Sequence, residues 1–451
     1  MKRHLAEHVT LFASVVKWTI YAALVGTLVG GGTAIFLDIL TRATRMIDSD
    51  EHHYLLLPLV ILASAALVRW LAPDAAGHGT EKVIEAVHQR MGKIPFAVVP
   101  VKLAATVITL AGGGSAGKEG PCAQIGAGLA SATADILRLS EEERRKLVIC
   151  GIGAGFATVF GTPIAGALFG VEVLVLGQIL YDVLFPSLVA GIVGYHVATL
   201  MGVTYPHQSA SAVPPLTGGS LMEMILLGLC CGLVSLIFIE VMKMGHRMFS
   251  RIPLSWPVTA LIGGGALTLV GTLISPRYLG LGLDTMESAL RGARLTPDLP
   301  FGKIVTTSIT LGSGGSGGVV TPIFFIGTTV GNLLGQLLSP PYIATFSAIG
   351  MVALLAGAAN TPVAASVMAM ELFGPPLAPF AAIACMVSYL IVGYRSIYPS
   401  QILGIQKSAA FSVPTGASIA ELGDVSPTIE KRKLLKAMGT VRRVYRRRKR
   451  P

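Results

Sequence analysis

Apolar runs recur along nearly the whole chain, with only short polar breaks between them. They cover Ala22–Leu37, Tyr54–Leu71, Leu147–Leu176, Val183–Leu200, Met222–Met242, Val258–Ile274, Ile323–Leu338, Ile343–Phe373 and Phe380–Val392. A membrane-crossing helix needs about 20 apolar residues. Several runs are shorter than that or broken by glycine, while Leu147–Leu176 and Ile343–Phe373 have room for two segments each. The pattern predicts an all-α polytopic membrane protein with about 10 to 18 helices by the same length rule.

Composition agrees. Of 451 residues, 52% are hydrophobic and only 13% charged, against roughly 25% charged in a soluble domain, and the mean hydropathy is +0.69. The formal charge of +11 raises nucleic acid as a partner, but its placement points to the lipid bilayer instead. Basic residues concentrate in Lys431–Arg450, "KRKLLKAMGTVRRVYRRRKR", while the apolar body is nearly balanced. The positive-inside rule then puts the C-terminus in the cytoplasm, and Lys2 and Arg3 put the N-terminus there too. The tail is expected to lie against anionic headgroups of the cell membrane, with no nucleic-acid partner. No short apolar core with a small-residue cleavage site opens the chain, so no removable signal peptide is expected. Cys122, Cys150, Cys230, Cys231 and Cys385 lack metal-ligand spacing and read as reduced packing residues; no metal is expected.

A duplication organises the body. "GGGSAGKEGP" is followed about forty residues later by "GTPIAGALFGVEVL", and "GSGGSGGVVTP" is followed at a similar distance by "NTPVAASVMAMELF". Pro121 aligns with Pro322, Thr162-Pro163 with Thr361-Pro362, and Glu172 with Glu371. The chain divides into a short N-terminus (1–17), a first membrane repeat (18–210), a second (211–407) and a basic tail (408–451). Two halves that each carry a glycine-interrupted helix at a corresponding place point to a transport site where the halves meet.

The stretch "AGGGSAGKEGP" almost fits a phosphate loop, but Glu119 stands where a nucleotide site needs Ser or Thr for magnesium. With no soluble α/β domain and no nucleophile beside a plausible base, neither a nucleotide site nor an enzyme is expected. Irregular backbone at membrane depth is tolerated only where it is buried in protein or lines an aqueous cavity. Where such a loop opens a helix, free N–H groups and the positive end of the helix dipole converge on a ready anion site. An ionisable residue in that setting is by default functional. Glu119 reads as a tethered competitor for the anion, in the site when charged and out of it when protonated. Pairing with Lys118 or Lys102 is the alternative.

These residues carry a resemblance. "GKEGPCAQIGAG" resembles the G-K/R-E-G-P signature of the chloride channel (CLC) family of channels and proton-coupled exchangers. "LVRWLAPDAAGHGTEKVIEAV" resembles its segment ending in a G-S-G-I-P loop, "GSGGSGGVVTPIFFIGTTVG" its G-x-F-x-P loop, and "RSIYPSQIL" the late segment with its pore tyrosine, in family order across Trp18–Leu403. The resemblance implies an inverted repeat of broken helices meeting at an anion site, and a homodimer with one pathway per subunit. It implies that Glu119 is the gate and that Tyr398 coordinates the central anion. Gly117, Lys118, Gly120 and Pro121 form the surrounding motif, Val319 and Val320 the second cradle, and Gly318 and Pro322 its structural frame. No cofactor is implied, only chloride or a similar small anion as the permeant ion. The residues after 407 are too few for the paired regulatory domains of many members, so no nucleotide partner is expected.

Three departures matter. His78 stands at the serine position of G-S-G-I-P, with Thr80 and Glu81 in place of Ile and Pro. It either contributes to anion coordination or pH sensitivity, or bonds a carbonyl at a helix start that Thr80 or Glu81 caps. Val320 replaces the aromatic residue of G-x-F-x-P, which puts selectivity in doubt. Val173 occupies the place of the internal glutamate that relays protons in exchangers, while His78, Glu172 or Glu223 offer other inner routes. Glu172 recurs as Glu371, which suggests a structural role for both. The resulting expectation is a passive chloride channel gated by protonation of Glu119. A chloride/proton antiporter is the alternative, and a fluoride/proton exchanger a further one.

Overall fold

The computed structural model describes residues 2–47, 52–205, 212–251, 253–408, 411–422 and 426–427. The basic run Lys431–Arg450 lies outside the described residues. Sixteen α-helices account for most of the rest. The first half holds α1 (Lys2–Ile47), α2 (Leu57–Leu71), α3 (Thr80–Gln89), α4 (Val98–Ala111), α5 (Glu119–Ile136), α6 (Glu141–Phe160), α7 (Pro163–Glu172) and α8 (Tyr181–Leu200). The second holds α9 (Gly218–Arg251), α10 (Trp256–Leu273), α11 (Leu283–Leu290), α12 (Leu299–Gly312), α13 (Val320–Leu338), α14 (Ile343–Ala359), α15 (Pro362–Phe373) and α16 (Ala378–Val392). Among the described residues, eight helical stretches are long and apolar enough to cross a membrane. Helix α1 runs without a break through residue 18, where the sequence suggested that the membrane body begins.

The two longest apolar runs each split in the same way. In the first, α6 ends at Gly161 in the left-handed conformation (φ 72°) and α7 restarts at Thr162-Pro163. In the second, α14 ends at left-handed Asn360 (φ 58°) and α15 restarts at Thr361-Pro362. Proline just inside the new helix sacrifices an N–H that has no intrahelical partner anyway. Asparagine is among the few residues other than glycine that adopt the left-handed turn readily.

Helices that begin in a buried interior leave N–H groups without partners, and here each half supplies the acceptors for the other. Glu172, at the end of α7, accepts from Val363 N (3.0 Å) and Ala364 N (2.7 Å) at the start of α15. Glu371, in α15, accepts from Ile164 N (3.0 Å) and Ala165 N (2.7 Å) at the start of α7. The same reciprocity governs the glycine loops. Ser115 N donates to Thr310 Oγ1 and Ser316 N to Thr109 Oγ1, both at 3.1 Å. Such mutual exchange is what a two-fold relation between the halves requires. Helices α5 and α13 accordingly start from one point: Gly117 N donates to Gly318 O (2.7 Å) and Gly318 N to Gly117 O (2.6 Å). This one-residue bridge is the seam of the inverted repeat.

Two fully buried lysines follow the same relation. Lys102 Nζ donates to Ala75 O (3.1 Å) and Gly77 O (2.7 Å), and Lys303 Nζ to Gly280 O (2.6 Å), so each pins the loop ahead of α3 or α11.

Each reciprocal cap predicts a stability effect. Leaving a buried N–H unsatisfied costs about 1–3 kcal/mol. Glu172→Ala orphans two N–H groups of α15, and Glu371→Ala two of α7. Both variants are expected to unfold at clearly lower temperature in detergent, with Glu172→Gln intermediate because one amide oxygen still accepts. Thermal unfolding followed by size exclusion checks this, and an unchanged unfolding temperature in both alanine variants would overturn the capping role.

Candidate functional site

The site forms where the two glycine loops meet. Glu119 is the first residue of α5 and is only 1% exposed. Its carboxylate does not pair with Lys118 or Lys102, and no described ion pair involves it. Instead it crosses the seam to the start of α13. Thr321 N donates to Oε2 at 3.0 Å, and the Thr321 hydroxyl lies 2.5 Å from Oε1 and 2.6 Å from Oε2. The negative charge therefore rests on the positive end of a helix from the opposite half. Because Pro322 follows, lacking an N–H, Thr321 is the last residue of that first turn before the chain loses a donor.

Glycine is required around this carboxylate for space. A Cβ on Gly117 would stand 2.6 Å from Glu119 Oε2 and 2.8 Å from Thr321 Oγ1. A Cβ on Gly120 would approach the Gly318 Cα at 3.1 Å and the His78 carbonyl carbon at 3.3 Å. Lys118 is the N-cap of α5, and Val319 the N-cap of α13. Pro121 and Pro322 sit at matching places in the first turns of the two helices. Val319 and Val320 are completely buried. The phenylalanines that follow are engaged elsewhere: Phe324 packs on Phe160 with ring centres 5.1 Å apart, and Phe325 lies under the Lys303 ammonium at 5.1 Å.

The loop before α3 and the segment after α16 close the other side. The Tyr398 ring is 5.8 Å from the His78 ring, centre to centre, and Tyr398 is fully buried. Tyr398 Oη, Thr80 Oγ1 and His78 Nδ1 are all buried; the two hydroxyls lie close enough to interact with each other, but neither makes a well-formed hydrogen bond, and His78 Nδ1 has no partner. Buried polar atoms left this poorly satisfied are uncommon in a folded interior and call for an explanation. A bound anion is one: hydroxyl and imidazole N–H groups would donate to it. The helix-cap alternative for this loop is not what forms, because α3 is capped by Gly79 without any side-chain bond from Thr80 or Glu81.

The other carboxylates named from sequence lie outside this constellation. Glu172 and Glu371 spend both oxygens as helix caps. Glu223 accepts from Ser339 at the far end of α13, about 27 Å along that helix from Thr321 at 1.5 Å per residue. Val173 is buried, and its carbonyl accepts from Gln401 Nε2 at 2.7 Å. Sequence reasoning missed Thr321 and Glu81. The signal for Thr321 was a hydroxyl directly before Pro322 in a helix-opening loop. Glu81 was noticed only as a departure from the G-S-G-I-P pattern and as a candidate helix cap.

Two helix starts, a mobile-length carboxylate and converging unpaired donors, inside a duplicated polytopic body, define an anion-transport protein. The chain belongs to the voltage gated chloride channel family, whose model matches residues 59–393. It is 39% identical over 408 residues to a chloride/fluoride channel protein of Pseudomonas syringae pv. tomato, covering 89% of this chain and 90% of that one. A solved CLC-type fluoride/proton antiporter superposes with a TM-score of 0.81 at 29% identity, over 86% of this chain and 98% of that one. A slow cyanobacterial Cl-/H+ antiporter shares the fold at a TM-score of 0.73 and 22% identity, over 84% and 96%.

The geometry predicts that Gly117→Ala drives the Glu119 carboxylate off Thr321, since the new methyl group overlaps it. A cryo-electron microscopy structure of the variant is expected to place the Glu119 side chain elsewhere, with the start of α13 eased back because the same methyl group would stand 2.9 Å from Thr321 N. A carboxylate still bonded to Thr321 would refute this account of the glycine.

Proposed function

We propose that this chain exports fluoride, with Glu119 acting as both gate and proton carrier. The observation that carries the reading is the docking of the Glu119 carboxylate on the hydroxyl and N–H of Thr321. Donors that can hold a carboxylate in this way also suit a compact, strongly hydrogen-bonding anion. Fluoride concentrates its charge on a small ion and accepts short, charge-assisted hydrogen bonds, the strong kind. The donors available to it are hard ones: Thr321 Oγ1, Tyr398 Oη, Thr80 Oγ1 and His78 Nδ1. The absence of an aromatic ring at Val320 fits the same preference, as does a relative described as a chloride/fluoride channel protein.

Proton coupling follows from competition. A charged Glu119 occupies the Thr321 donors and excludes the anion. A proton taken up by Glu119 removes the negative charge that those donors hold, and fluoride then takes the vacated place. Proton on carboxylate and anion on Thr321 are thus alternately favoured, which is the basis of an exchange cycle. A solved neighbour described as a fluoride/proton antiporter supports this version. The second reading is a passive conduit, favoured by Val173, which cannot hold a proton where exchangers of the family carry their inner acid. In either version, family resemblance and the placement of basic residues favour a homodimer in the cell membrane with both termini cytoplasmic.

Liposomes containing the purified protein test these readings. Under a fixed anion gradient, fluoride efflux is expected to exceed chloride efflux, and the reversal potential is expected to shift when an opposing proton gradient is applied. Glu119→Gln, which keeps the shape and removes the charge, is expected to leave anion flow but abolish proton movement and pH dependence. A potential that follows the anion alone would establish the passive conduit, and chloride passing as readily as fluoride would refute the selectivity.

A further inference from the structure

With Glu172, Glu371 and Glu223 placed away from the site, a proton reaching Glu119 from the side of the His78 loop needs another acceptor. We propose that Glu81 is that acceptor: a proton-loading carboxylate between solvent and the Tyr398–His78 side of the site. The proposal rests on the proton-coupled reading above.

Glu81 is the second residue of α3, directly after Thr80. Its Oε1 accepts from Ser400 N at 3.0 Å and from Ser400 Oγ at 2.5 Å, which ties α3 to the turn following Tyr398. Its Oε2 is buried and has no hydrogen-bond partner. A clamp between α3 and Ser400 uses only Oε1, so clamping does not account for the second oxygen. A buried carboxylate oxygen left bare is costly, and a proton on Oε2 relieves that cost. The residue as a whole is half-buried, beside the part-exposed charged side chains of Lys82 and Glu85 on the same helix.

The neighbourhood suits proton transfer. Tyr398 lies within electrostatic reach of both Glu81 and Glu119 and close to the Thr80 hydroxyl, and His78 Nδ1 is buried there without a partner. The His78 carbonyl packs directly on Gly120, next to Glu119. Glu81, Thr80, Tyr398, His78 and Glu119 are therefore contiguous. Glu81 forms no ion pair among the described residues, and the Lys82 and Glu85 charges on its own helix act on it with opposite signs. On its own helix Lys82 pairs with Glu85 at 2.8 Å, Lys102 of α4 is bonded to the Gly77 carbonyl, and on α6 Lys146 pairs with Asp182 while Arg145 lies toward His88. In the step itself one proton leaves Glu81 Oε2 and one arrives on a Glu119 oxygen that has left Thr321. No other bond changes, and solvent recharges Glu81.

Glutamine separates the two roles of Glu81, because its amide oxygen still accepts from Ser400 while no proton can be held. With the full chain in liposomes, fluoride efflux is read by an electrode and proton movement by an internal pH dye. Glu81→Gln is expected to keep fluoride efflux and lose the accompanying proton movement, and Glu81→Asp to retain it. Undiminished proton movement in Glu81→Gln overturns the proposal. Should that variant lose both fluxes, Ser400→Ala decides: it keeps the carboxylate but removes one donor to its charged form, so half-maximal proton movement shifts to higher pH. An unchanged pH profile in Ser400→Ala overturns the proposal as well. If the unmodified protein moves no protons, the exchange reading itself fails, and the role of Glu81 with it.

Discussion

The structure depends on how N–H groups are satisfied where helices begin inside a buried apolar body. Water is not available there, and each helix start carries donors with no intrahelical partner. This chain answers the problem across its duplication. Glu172 caps α15 and Glu371 caps α7, while loop serines donate to threonines of the opposite half. Every such pair holds one repeat to the other. The caps and the internal repeat are one device seen at two scales.

The functional site is the place where this device is left incomplete. At α13 the Thr321 donors are met by Glu119, which itself opens the facing helix α5. Around it the Thr80, Tyr398 and His78 groups are buried without well-formed hydrogen bonds, whereas the N–H groups that open α7 and α15 are met across the repeat. Polar groups in a low-dielectric interior interact strongly with a charge that arrives there and are costly when empty. In the proposed function, the stability given up at these atoms is the binding capacity of the site. The lysines illustrate the contrast: Lys102 and Lys303 are buried too, yet loop carbonyls satisfy both, and they brace the site rather than line it.

Much of this was legible in the chain itself. The Thr-Pro and Glu repeats announced the duplication because both halves solve the same capping problem with the same residue types. The glycine loops announced a pathway because glycine is needed wherever backbones approach as closely as at Gly117 and Gly318. Splitting the long apolar runs required the left-handed turns at Gly161 and Asn360, and only glycine is an obvious sequence mark for such a turn. Thr321 and Glu81 were obscure because their meaning lies in partners 202 and 319 residues away.

The sequence by itself determined the membrane setting, the two-fold plan and the candidacy of Glu119, because hydropathy, periodic motifs and an isolated carboxylate are local properties of the chain. Tertiary structure decided which carboxylates stay free to act. Glu172, Glu371, Glu119 and Glu81 are chemically alike in the sequence, and only the donors that folding brings to each one distinguish a permanent cap from the proposed gate and proton site. A hydrogen bond in such an interior is a matter of ångströms between distant residues, and that information exists only once the two halves have closed on each other.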